Sequence, residues 1–160
     1  MTTYQVRDGL RLLTFEGEEL ASISSRRDEP RWTEMTIYRT VGGSYVLEKV
    51  GRSVMTHMPG CPEILGRIPR FQAAHPGADP DEGFVYHRCV PEEYDFTELL
   101  AEEDRYWAID SKHPEHIVDA LYRRRQGTRH MPRIGIDLLE QVSLADPAFD
   151  DSQWRVEHIA

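Results

Sequence analysis

The residues best suited to chemistry in this chain are two close pairs: His57 with Cys61, then His87 with Cys89. Imidazole and thiolate are the donors that zinc prefers, and two such pairs at the ends of extended segments can close a tetrahedral site. A set of four protein ligands leaves no position for water or substrate, so the expected role is structural. The second pair has a single intervening residue, where two to four are usual. The alternative for the same four positions is a pair of buried free thiols and a pair of surface histidines.

His113 and His116 lie three apart at an expected helix start and can share a metal with Asp110 or Glu115, as a metal-dependent hydrolase or nuclease would require. Ser111 beside Asp110 and His113 imitates a catalytic triad only along the chain, since triads are assembled by the fold. There is no glycine-flanked serine elbow, no GxxxxGK[ST] and no GxGxxG. Without these the usual nucleophile and phosphate-cradling chemistries lack their parts. The balance is against catalysis.

Charge is the other signal. The 160 residues carry a formal net charge of −9. Eleven acids against two bases fall between Asp79 and Asp110, and the rest of the chain is neutral. Glu92, Glu93, Glu102 and Glu103 form an acidic surface able to steer a basic partner or to imitate a nucleic-acid backbone, as an anti-defence inhibitor does. Arg123, Arg124, Arg125, Arg129 and Arg133 form a basic corner able to hold a phosphate or an acidic partner. Non-specific nucleic-acid binding needs a dominant basic face, which this composition does not supply.

The elements that must position these groups follow from pattern. Trp32 to Met58 reads as three antiparallel strands separated by Gly42-Gly43-Ser44 and Gly51-Arg52-Ser53. Met35 and Ile37 alternate with Thr36 and Tyr38, so both faces of the sheet carry bulk and both need cover. Residues 1 to 31 supply a strand or two, with Glu16-Gly17-Glu18 as a turn. The stretch 59–83 is irregular and proline-rich, Phe84 to Val90 is extended, and Arg105 to Ile109 is the last strand. Two helices close the chain. The first is opened by Pro114 and carries Ile117, Val118, Leu121 and Tyr122, with Arg123 to Arg125 in its final turn and Gly127 as its stop. The second runs from Pro132 to Asp146-Pro147 with Ile134, Leu138, Leu139 and Val142 as its stripe.

The run WTEMTIYRTVGGSYVLEKVGRS at 32–53 resembles a signature of small uncharacterised proteins from actinobacterial genomes, plasmids and phages. The segment from about Arg105 to Asp146 is similar in pattern. The resemblance implies His and Cys residues after the meander, matched by His57, Cys61 and Cys89, and a role as an accessory product of mobile elements. It implies no known activity.

These readings converge on a single α+β domain over residues 1–160. About five antiparallel strands come first, and two helices pack on one face. Two cysteines and no export signal suit a reducing cytoplasm, and no apolar run reaches the roughly 18 residues of a membrane span. The expected function is a non-catalytic interaction or regulatory protein whose partner is another protein, with zinc as a structural cofactor.

Overall fold

The computed structural model describes residues 1–57, 100–101 and 103–149. Its strands are β1 (Thr2–Asp8), β2 (Arg11–Ser24), β3 (Arg31–Thr40), β4 (Tyr45–Ser53), β5 (Thr56–His57), β6 (Leu100–Ala101) and β7 (Arg105–Ser111). Helix α1 (Pro114–Leu121), strands β8 (Arg123–Arg125) and β9 (Thr128–His130) and helix α2 (Arg133–Ala145) complete it. Five strands form one antiparallel sheet in the order β1-β2-β3-β4-β7. β5 pairs with β6, and β8 with β9, as separate two-stranded ribbons. The α+β arrangement expected from the pattern is the one observed. Among the described residues no helix is long and apolar enough to cross a membrane.

Alternation divides the sheet into two surfaces. Met35, Ile37, Tyr45, Leu47 and Trp107 point to the helices and pack with Ile117, Leu121, Leu138, Leu139 and Val142 in the main core. Tyr38, Val46 and Ala108 point the other way and join Val6, Tyr4, Leu13 and Phe15 in a smaller cluster. There the rings of Tyr4, Phe15 and Tyr38 lie 4.8–5.7 Å apart between centroids. Helices cover one face and aromatics cover part of the other, as the two-sided bulk of β3 requires.

Three local expectations are corrected. Glu16-Gly17-Glu18 is no turn: Gly17 lies inside β2, opposite Thr40. A Cβ there would stand 2.1 Å from the Arg39 carbonyl oxygen, so the glycine serves a close approach of two backbones. The first hairpin turns instead at Gly9, whose φ of 59° only glycine adopts cheaply. Gly51 likewise belongs to β4, where the Arg105 guanidinium lies over it at 2.6 Å from where a Cβ would be. Finally, Arg123 to Arg125 do not continue the first helix. α1 ends at Leu121 with Tyr122 extended, and the arginines form β8 of a hairpin. Gln126 and Gly127, at φ 52° and 79°, make its two-residue turn. Paired positive φ values are the signature of a twist-matched hairpin, so Gly127 is a hairpin residue and not a helix stop.

A bulge resolves an irregularity in β2. Register shifts between Glu19 and Ala21, and beyond that shift Ala21 and Ile23 face the helices. Leu20 and Ile23, of opposite parity, therefore both reach the main core.

The sheet curls until its two edges meet at one end. The Gly9 N–H donates to the Tyr106 carbonyl at 2.8 Å. Buried Asp8 accepts from the Ala108 N–H at 3.3 Å, and the Arg7 guanidinium lies 4.1 Å from the Tyr106 ring centre. The result is a half-barrel whose inner surface carries the Tyr4–Phe15–Tyr38 cluster.

Candidate functional site

The inner surface of the half-barrel has an apolar end and a polar end. Beyond the aromatic cluster, the inward positions of β2, β3 and β4 are Ser22, Ser24, Glu34, Thr36, Glu48, Val50 and Arg52. They surround a hollow of about 370 Å³. Sheet geometry explains the grouping: Thr36 is opposite Ser22 on one side and Glu48 on the other, and Glu34 is opposite Ser24 and Val50. Neighbouring inward residues on adjacent strands stand side by side.

Most of the charge here is already matched. Arg52 Nε donates to Glu34 Oε2 at 3.0 Å and its Nη1 to Asp104 Oδ2 at 2.7 Å. Glu34 also accepts from the Trp32 indole N–H at 3.1 Å. These contacts hold Arg52 above its ordinary pKa, Asp104 being the main cause. The Ser22 and Thr36 hydroxyls hydrogen-bond at 3.0 Å.

Glu48 differs. Burial is the chief influence on it and pushes its carboxyl up from the ordinary 4.5. Arg52, the Arg7 backbone N–H and the Tyr38 hydroxyl pull the other way without cancelling that effect. Tyr38 is itself pushed up to about 12, by burial first and then by Glu48 and Glu19. It therefore keeps its proton at neutral pH and donates a hydrogen bond to Glu48. The hydrogen bonds acting on Glu48 come from neutral donors, while Arg52, the cation that acts on it, is committed to Glu34 and Asp104. Among the described residues, this is a half-buried carboxylate with room beside it and too little positive charge around it.

Of the residues singled out from sequence, those that the structure describes lie elsewhere. His57 is in β5, while Cys61, His87 and Cys89 lie outside the described residues. Glu92, Glu93 and Glu102 also lie outside them, and Glu103 is exposed. Arg123, Arg124 and Arg125 sit in β8 and Arg129 in β9. Arg129 Nη2 bonds Asp119 Oδ1 at 2.6 Å and its guanidinium stacks on Tyr122 at 3.9 Å. Arg133 pairs with Asp137 at 3.0 Å, one turn along α2. His113 and His116 are neighbours, with ring centres 5.0 Å apart. Among the described residues no three His, Cys, Asp or Glu converge as a metal site.

Sequence reasoning missed Glu34, Glu48 and Arg52. Their parity was visible: each shares a face with Tyr38 on strands whose other inward positions are apolar or hydroxylic. What was hidden was the curl, which turns that face into the inside of a hollow.

In comparison with known proteins, no family model, no curated protein and no solved structure matches the chain.

Proposed function

We propose that this chain is a non-catalytic interaction protein that takes a basic side chain of a partner protein into the polar end of its half-barrel. The observation carrying this reading is Glu48. A carboxylate held partly out of water, bonded by neutral donors and facing a hollow, is stabilised by an incoming ammonium or guanidinium. The volume is at the lower end of the range for small-ligand sites and suits one lysine or arginine side chain. The hydroxyls of Ser22 and Thr36 offer acceptors beside it. The chain's net charge of −9 would draw a basic partner toward it before contact.

A role as an accessory product of a mobile element, suggested by the resemblance of residues 32–53, fits a protein whose work is contact. A structural zinc at His57, Cys61, His87 and Cys89 is compatible with it.

The test is titration of the full chain with N-acetyl-arginine amide, followed by amide NMR, with N-acetyl-norleucine amide as the uncharged control. Saturable shifts at Ser22, Thr36, Glu48 and Arg52, with a roughly millimolar Kd, are expected for the arginine compound alone. They should vanish in Glu48→Gln. Equal responses to both compounds, or an unchanged response in Glu48→Gln, would remove the reading.

A further inference from the structure

The junction between β7 and α1 holds a second group, apart from the hollow. Ser111 ends the strand, His113 caps the helix and Pro114 begins it. Three hydrogen bonds fix this turn. The His113 N–H donates to Ser111 Oγ at 3.1 Å, and the His116 N–H donates to the His113 carbonyl at 3.1 Å. Ser111 Oγ is also 2.8 Å from His116 Nδ1. The last of these holds the His116 imidazole, and the His113 ring lies beside it, both exposed to solvent, with ring centres 5.0 Å apart and planes at 67°.

We propose that His113 and His116 form a two-imidazole site for a borderline transition-metal ion of the zinc and nickel class. With metal–nitrogen bonds of about 2.0 Å, two imidazoles on one tetrahedral ion have ring centres about 5 Å apart. The observed spacing needs no rearrangement of the backbone to meet that condition. Ser111 acts as the orienting partner. Its oxygen already accepts from the His113 N–H, and a second acceptance, from His116 Nδ1–H, sets the tautomer that leaves the Nε2 lone pair facing outward. A ligating histidine whose other ring nitrogen is tied to a fixed oxygen is the usual outer arrangement of metal sites. Glu115 Oε1 is 3.8 Å from His113 Nδ1 and supplies negative charge next to the ion. That charge offsets the positive end of α1, which opposes a cation.

Two protein ligands leave the remaining positions to water or to a donor from another molecule. The site is therefore open, and its affinity is modest, with Kd on the order of micromolar to tens of micromolar.

The experiment uses the full chain and Ni²⁺ as nickel chloride, read by paramagnetic broadening of amide and imidazole NMR signals, with Zn²⁺ competition by calorimetry. Broadening centred on residues 111–119 at sub-stoichiometric Ni²⁺, reversed by Zn²⁺, is expected. His113→Ala and His116→Ala should each abolish that local broadening while circular dichroism and Tm stay close to those of the parent chain. Ser111→Ala should weaken binding by about 10-fold, and Ser111→Thr, which restores the hydroxyl, should recover it. Broadening that is absent from residues 111–119, or that survives in His116→Ala, overturns the proposal. Broadening confined to other histidines or to the cysteines overturns it equally.

Discussion

The Tyr45 hydroxyl donates to Asp146 Oδ2 at 2.8 Å, joining the first residue of β4 to the residue that ends α2, 101 positions later. Arg39 Nη1 reaches the same oxygen at 2.9 Å and also binds Glu18. The Ala148 N–H donates to Oδ1 at 2.9 Å, and Phe149 packs edge-on against the Tyr45 ring at 5.0 Å. Sheet and second helix are thus fastened at one buried carboxylate.

That carboxylate carries a pH signature. Burial alone would raise Asp146, but the Ala148 N–H, Tyr45 and Arg39 outweigh it and hold the group below its ordinary 3.8. A depressed folded pKa gives stability that is present above the unfolded value and lost as pH falls through the folded one. Asp146→Asn should therefore cost about 1–3 kcal/mol at pH 7 and progressively less below pH 3.8. Tyr45→Phe should cost about 1 kcal/mol. Urea unfolding at the two pH values checks both.

Glu48 has the opposite sign. Its folded pKa lies above the ordinary 4.5, so its contribution is complete below that value and is lost as pH rises through the folded pKa. Glu48→Gln should raise Tm at pH 7 and give no gain at pH 4. A variant less stable than the parent at pH 7 would show that the ionised group is well compensated.

Gly17 and Gly42 make a matched pair of tests. Alanine at 17 would press its Cβ into the Arg39 carbonyl, whereas at 42 the nearest atom, Thr40 Oγ1, is 3.9 Å away. Gly17→Ala should destabilise by about 3 kcal/mol or more, since a backbone collision cannot be relieved by a rotamer change. Gly42→Ala should stay within about 0.5 kcal/mol of the parent. Thermal melts of the two variants, side by side, decide it.

Gln126 adopts φ 52° at the tip of the β8–β9 hairpin. An L-residue there carries about 1 kcal/mol of strain that glycine avoids. Gln126→Gly should slow amide hydrogen exchange across the Arg125–Thr128 pair, and Gln126→Val should speed it.

How far the chain declares itself differs from element to element. Along β3, Met35 and Ile37 alternate with Thr36 and Tyr38, and that two-residue period announced both a strand and a sheet needing cover on two sides. Ile117, Val118 and Leu121, and Leu138, Leu139 and Val142, likewise announced the helices, because a stripe at 3.6-residue spacing has one efficient way to be buried. The arginine run at 123–125 misled, since arginine is a good helix former and a glycine soon after looks like a helix stop. Only pairing with Thr128 to His130 makes Gly127 a hairpin residue, and pairing is a non-local event. The same holds for Gly17, whose need for a missing side chain is set by a strand more than twenty residues away. The candidate site is the extreme case. Local order fixed which residues of β2, β3 and β4 share a face, through a repeat that any strand must obey. Whether that face would lie flat against solvent or close around a hollow was decided by the meeting of β1 and β7, a contact between positions about a hundred residues apart.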